Sequence, residues 1–201
     1  MQSNTLSPCA LVLGLTATLP AQDLKPPKAP QNLQVPDGHS LSLKVYATGT
    51  QNYVCVPEGG TPTWKFLGPQ ATLFVAIPWA QHTVYAQIGT HFLSANPVEG
   101  GTARPTWQHS FDSSAVWGKA AASSTDPLYV APGAIPWLLV QITGAQPGPA
   151  GGNAFGRTTF IQRVNTSGGV APTTGCDEGS FGKVALMPYA TDYYLYQAVK
   201  K

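Results

Sequence analysis

"LSLKVYATGTQNYVCVP", residues 41–57, decides the fold class. Leu41, Leu43 and Val45 alternate with Ser42, Lys44 and Tyr46, and a period of two marks a strand with one face buried. Gly49 and Asn52 bracket a tight connection, after which "QNYVCVP" reads as a second strand ending at Pro57. The pattern recurs in "TWKFL" (63–67), "ATLFVAI" (71–77), "TVYAQIG" (83–89), "AVWGKAAA" (115–122), "IPWLLVQIT" (135–143), "RTTFIQRVN" (157–165) and "KVALMP" (183–188). "TDYYLYQAV" (191–199) suits a last strand or a short helix. The stretch from Gly89 to Gly118 reads as a long loop feeding a hairpin, with its aromatic residues mainly packed. No sustained amphipathic helical stripe is present, and turn signals recur at roughly 8–12-residue spacing. The expectation is an all-β, mainly antiparallel, single-domain β-sandwich or barrel with long loops.

Composition agrees. Hydrophobic residues make up 43% of the 201 residues, enough for a real core, while charged residues reach only 10%. Disorder needs the opposite balance. The 21 glycines and 19 prolines fit short strands joined by turns. A net charge of +2, with no basic run beyond Lys200-Lys201, excludes nucleic acid as an expected partner.

Residues 10–19, "ALVLGLTATL", have the length of a signal-peptide apolar core, and "PAQ" follows with small residues at a cleavage position. Residues 1–21 are therefore read as a signal peptide, 22–38 as a Pro-rich extended arm and 39–201 as the β domain. The expected location is secreted, extracellular or periplasmic, with no membrane span after cleavage. Removal of Cys9 with the signal would leave Cys55 and Cys176 as a pair in an oxidising compartment. A disulfide between them closes a loop of about 120 residues, worth roughly 4–5 kcal/mol in the chain-entropy account.

Chemistry-bearing residues are few. The four histidines, His39, His82, His91 and His109, show no H-x-x-x-H or Cys-x-x-Cys spacing. His91 and His109 can still converge across a hairpin, with Asp112 as an oxygen ligand, in a set suited to a divalent transition metal. His91, Asp112 and Arg163 are the catalytic candidates. Against this stand simpler roles: Asp112 caps a turn, and His91 bonds a backbone group. Arg163 lies in an apolar strand and requires an acceptor, Asp192 or a backbone carbonyl; its functional reading is a carboxylate or sugar ligand. Trp79 and Trp107 are candidate ligand-binding platforms, core filling being the alternative. Asn165-Thr166-Ser167 is a glycosylation sequon if the host is eukaryotic. The Gly-rich loop 143–156 matches no phosphate-binding fingerprint.

"ATGTQNYVCVP" (47–57), "GTHF" (89–92), "PTW" (105–107), "DSSAVWG" (112–118), "IPWLLVQITG" (135–144), "FIQRVNTSGGVAP" (160–172) with Cys176, and "PYATDYYLY" (188–196) together resemble a secreted family of fungi and bacteria, domain of unknown function 3455. The resemblance covers about residue 35 to 199 and implies a secreted, mostly β domain without an established activity. Some members carry a malate-dehydrogenase label, but a nicotinamide enzyme needs a βαβ unit with its glycine fingerprint, and none is here. Similar proteins run from "GTH" to "PTW" by a short link, whereas "FLSANPVEGGTAR" intervenes in this chain. The leading expectation is a non-catalytic extracellular binding or surface-associated module without a cofactor, its partner a carbohydrate or a surface protein. The rival is a secreted enzyme or metal-binding protein with a site near His91, His109 and Asp112.

Overall fold

The computed structural model describes residues 24–199; the expected signal peptide and its cleavage point lie outside the described residues. Eight strands form one closed antiparallel barrel: β1 (His39–Glu58), β2 (Thr61–Trp79), β3 (His82–Asn96), β4 (Thr102–His109), β5 (Ala115–Ser124), β6 (Trp137–Gln146), β7 (Thr158–Gly168) and β8 (Val184–Ala198). Each strand pairs with the next in sequence, and β8 returns to β1 in a register running from His39 opposite Ala198 to Val54 opposite Val184. Of the two architectures open to the sequence, the barrel is the one formed.

Several short strands turn out to be halves of long ones. Residues 41–47 and 51–57 lie in the single 20-residue β1, and 63–67 and 71–77 in the 19-residue β2. Likewise 183–188 and 191–199 join in β8, with no terminal helix. Gly49 is the reason the first pair reads as two. It serves as a point of close approach instead of a turn: a Cβ there would run into the Gln70 carbonyl and Ala71 Cα of β2. Asn52 sits opposite Gly68, whose φ is +146°, and the register slips between Asn52 and Tyr53. A straight strand of this length would run ~60 Å. The slip leaves Leu67 of β2 without an opposite residue and marks where the strand pair bends around the barrel instead.

The segment 89–118 is also not a long loop. It holds the end of β3, all of β4 and the start of β5. The β3–β4 turn is built by its own sequence: the Asn96 side chain accepts from Val98 N at 3.0 Å, Pro97 opens a 3-10 turn, and Gly100 adopts φ +62°. Glu99 then receives Arg104 Nε and Nη2 at 2.8 Å each, with Thr143 Oγ1 at 2.8 Å. The inserted "FLSANPVEGGTAR" thus closes on itself as a hairpin, pairing Phe92 with Thr106 through Asn96 with Thr102.

Alternation sorts the apolar side chains into two layers. Val45, Leu73, Trp107, Val116, Val140, Ile161, Tyr193 and Leu195 fill the lumen. Trp137, Leu139, Val164, Tyr194 and Tyr196 form an outer cluster, and Leu33 of the Pro-rich arm packs into it with no exposure. Asn32 Nδ2 donates to Ser123 O at 2.9 Å, and Gln162 Nε2 to Leu33 O at 2.7 Å. Tyr193–Tyr196 are consequently buried on both faces of β8.

The connection from β7 to β8 is clamped to the barrel. Cys55 and Cys176, 121 positions apart in sequence, form a disulfide with Cα atoms 5.4 Å apart. Tyr53 Oη donates to Gly169 O at 2.8 Å and Trp64 Nε1 to Thr174 O at 3.0 Å.

Two outcomes test this description. Gly49→Ala should lose about 3 kcal/mol in urea denaturation, because the obstacle is backbone and overpacking of this kind has no cheap relief. Cys55→Ser/Cys176→Ser should lose about 4 kcal/mol by the same measurement, the scale of a closed loop of this length.

Candidate ligand site in the barrel lumen

Closing the sheet leaves a cavity of about 280 Å³ at one end of the lumen. Its walls are largely apolar, with Phe66, Pro69, Ile135, Pro136, Leu138 and Val140 among them. Gln51 and Tyr53 reach it from β1, His91 from β3, Trp107 from β4, Arg163 from β7 and Tyr193 from β8. Mostly apolar walls with a few convergent polar groups are the usual make-up of a small-molecule site.

His91 sits opposite Trp107 in the β3–β4 register, and their rings stack with centroids 4.2 Å apart. Tyr193, across the lumen on β8, meets both rings edge-on at 5.3 and 5.5 Å. The intervening hairpin therefore leaves His91 and Trp107 side by side. His91 Nδ1 lies 2.8 Å from the Thr106 carbonyl, which can only accept, so Nδ1 carries the hydrogen and Nε2 is the free lone pair. Burial, aided by the Arg163 charge, pushes the His91 pKa down to about 3. The ring is neutral at ordinary pH.

Arg163 faces Tyr193 in the β7–β8 register and Leu138 in β6–β7. Its Nη2 donates to Pro136 O at 2.8 Å, fastening the β5–β6 connection as part of the cavity wall. Asp192, the carboxylate the sequence offered, is engaged elsewhere, with Lys44 Nζ at 3.0 Å and Asn165 Nδ2 at 2.9 Å. The lining contains no aspartate or glutamate, so the guanidinium has no counter-ion there. Four buried polar atoms of the lining make no hydrogen bond of good geometry: Gln51 Nε2, Trp107 Nε1, Arg163 Nε and Tyr193 Oη. Tyr189 Oη, also without a bond of good geometry, interacts with Tyr193 and Gln51, and Tyr193 with Arg163, so these polar groups face one another. Burial raises the pKa of both tyrosines, which keeps their hydroxyls protonated. A broader outer groove of about 420 Å³ lies beside Tyr46, Tyr85, Asn165 and Asp192, but there the Asp192 carboxylate is already paired.

The other sequence candidates lie apart from this cluster. His109 Nδ1 sits 3.0 Å from Asp112 Oδ1, and Asp112 also accepts from Ser114 N (2.9 Å), Ser114 Oγ (2.7 Å) and Ala154 N (2.8 Å). Those bonds overcome the cost of burial and hold the Asp112 carboxyl well below the usual carboxylate range. Asp112 thus ties the β4–β5 turn to the loop before β7. His91, by contrast, turns toward Thr106, and no three His, Cys, Asp or Glu side chains gather into a metal-holding group among the described residues. Trp79 is 70% exposed at the end of β2, whereas Trp107 is 2% exposed in the lumen. Asn165 is exposed with φ +53°.

Sequence reading picks out His91, Trp107 and Arg163 but not Gln51, Tyr189 or Tyr193. The available signal at Gln51 is a polar residue in the same phase as Val45, Ala47 and Tyr53, and it is hidden when the strand is taken to end at Gly49.

The burial of neutral His91 has a pH consequence. The unfolded chain binds this proton near pH 6.5 and the folded chain only near pH 3, so protons favour unfolding. The contribution is complete above the unfolded value and is lost as pH falls toward the folded one. Between pH 6 and 4 the unfolding free energy of the natural protein should fall by about 1.4 kcal/mol per pH unit more steeply than that of His91→Gln. Urea titrations at several pH values check this; parallel profiles would contradict it.

No curated protein and no solved structure matches the chain. The family model described as "Protein of unknown function (DUF3455)" matches residues 36–197, which run from just before β1 to the penultimate residue of β8. The chain belongs to that family, and the lumen cavity lies within the matched region.

Proposed function

We propose that this protein is an exported, non-catalytic binding module that holds a small ligand inside its barrel. The observation that carries the reading is that four residues lining one cavity, Gln51, Trp107, Arg163 and Tyr193, each hold a buried polar atom without a hydrogen bond of good geometry. Buried polar groups are nearly always bonded, and a cluster of exceptions calls for a ligand, an ion or water. Water can meet donors in the empty protein. It cannot neutralise Arg163.

Binding is favoured over catalysis by what lines the cavity. Its side chains include no serine, threonine, cysteine, lysine or carboxylate, the usual nucleophiles and acids. His91, with a pKa near 3, is a weak base, far from the near-neutral value that suits proton transfer at physiological pH. In the rival set His109 does touch Asp112, but Asp112 is committed to its turn and His91 bonds Thr106 instead of joining them. Export is supported by the apolar run at residues 10–19, and a disulfide between Cys55 and Cys176 is compatible with it.

A thermal-shift screen of small polar and aromatic compounds on the oxidised protein tests the reading. At least one compound should raise the melting temperature saturably and perturb tryptophan fluorescence through Trp107. Ala120→Trp, at an exposed position of the cavity lining, should abolish that shift while leaving the free protein's melting temperature unchanged. A screen without response, or a response indifferent to Ala120→Trp, would overturn the proposal.

A further inference from the structure

Resting on the lumen as a ligand site, we infer that its ligand is a small monocarboxylate with a flat apolar body, whose carboxylate supplies the counter-ion that Arg163 lacks. The site is rich in donors. Gln51 Nε2, Trp107 Nε1 and Arg163 Nε can only donate, and the Tyr193 hydroxyl can donate as well as accept. An ionised carboxylate is the complement of such a set, because it only accepts and offers about four lone-pair sites. A guanidinium is also the side chain best matched to its planar shape.

Competing ligand chemistries fit less well. A sugar presents many hydroxyls that each donate and accept, whereas this lining holds no carboxylate and its donors outnumber acceptors such as His91 Nε2. Inorganic phosphate would satisfy donors but leave the apolar walls of Leu138, Val140 and Ile135 facing water. A cation would meet Arg163 with like charge. The stacked pair of His91 and Trp107 and the edge of Tyr193 offer ring surfaces to a flat body. At about 280 Å³ the cavity lies just under the usual span of small-molecule pockets, which limits the body to about one ring.

The test compares isosteres. Benzoate and benzamide share shape and apolar area and differ in charge, so each is titrated into the oxidised protein, with glucose and inorganic phosphate as further probes. Benzoate should bind at least tenfold more tightly than benzamide, and glucose and phosphate should not compete. Arg163→Met should erase the difference by weakening benzoate alone, and Trp107→Phe, which removes one donor and keeps a ring, should weaken benzoate severalfold. The comparison in the natural protein stands even if a variant folds poorly. Equal binding of benzoate and benzamide, both lost in Ala120→Trp, would overturn the carboxylate assignment and leave the lumen as a binding site. A preference for glucose or phosphate would overturn it in the same way. Failure of these probes together with every compound of the wider screen would remove the binding reading itself.

Discussion

Pairing β8 back onto β1 imposes the constraint from which the remaining features follow. Once the sheet is closed, one face of every strand must look into a common lumen, and every group on that face is removed from bulk water. Along most of the barrel the sequence meets this with Val45, Leu73, Val116, Ile161 and Leu195, which pack as a core. At one end it supplies Gln51, His91, Trp107, Arg163 and Tyr193 around empty space. Closure is thus what makes polar residues unusual there, since on an open sheet they would simply be solvated.

Holding a guanidinium in such a place works against folding. A charge withdrawn from water without a counter-ion costs several kcal/mol when burial is complete, and Arg163 is partly buried with neutral partners, the Pro136 carbonyl and Tyr193. The surrounding structure is well placed to bear the cost. The disulfide, the Tyr53 and Trp64 bonds to the β7–β8 connection, and the Leu33 arm against the outer face all brace strands that carry the cavity residues. Bracing from outside keeps the lumen from collapsing onto its own unfilled volume, which would otherwise be the cheaper packing.

How much of this the sequence discloses depends on the range of the interaction. Strand identity is local, and the alternation at 41–47 states it plainly. The Cys55–Cys176 pair is readable once the chain is taken as exported. Strand length is not local: Gly49 resembles a turn residue until β2 is laid against it, and only the close approach of Gln70 explains the absence of a side chain. The site is legible in part. Arg163 in an apolar strand signals an unusual environment, but its acceptor is the Pro136 carbonyl and not Asp192, a choice made by strand register. His91, His109 and Asp112 are near one another in sequence, yet the β4–β5 turn keeps Asp112 and His109 while His91 joins Trp107 in the lumen. Gln51 stays hidden because β1 reads as broken at Gly49, and Tyr193 because Tyr193–Tyr196 is buried on both faces and so shows no polar alternation.

The most direct test asks whether Arg163 serves the fold or a ligand. Equilibrium urea denaturation of the ligand-free, oxidised protein at neutral pH would compare the natural chain with Arg163→Met, which keeps the length of the side chain and removes the charge. If the guanidinium is held for a ligand, the variant should be as stable as the natural protein within about 1 kcal/mol, or more stable. A loss beyond about 2 kcal/mol would mark Arg163 as a structural clamp and contradict the account.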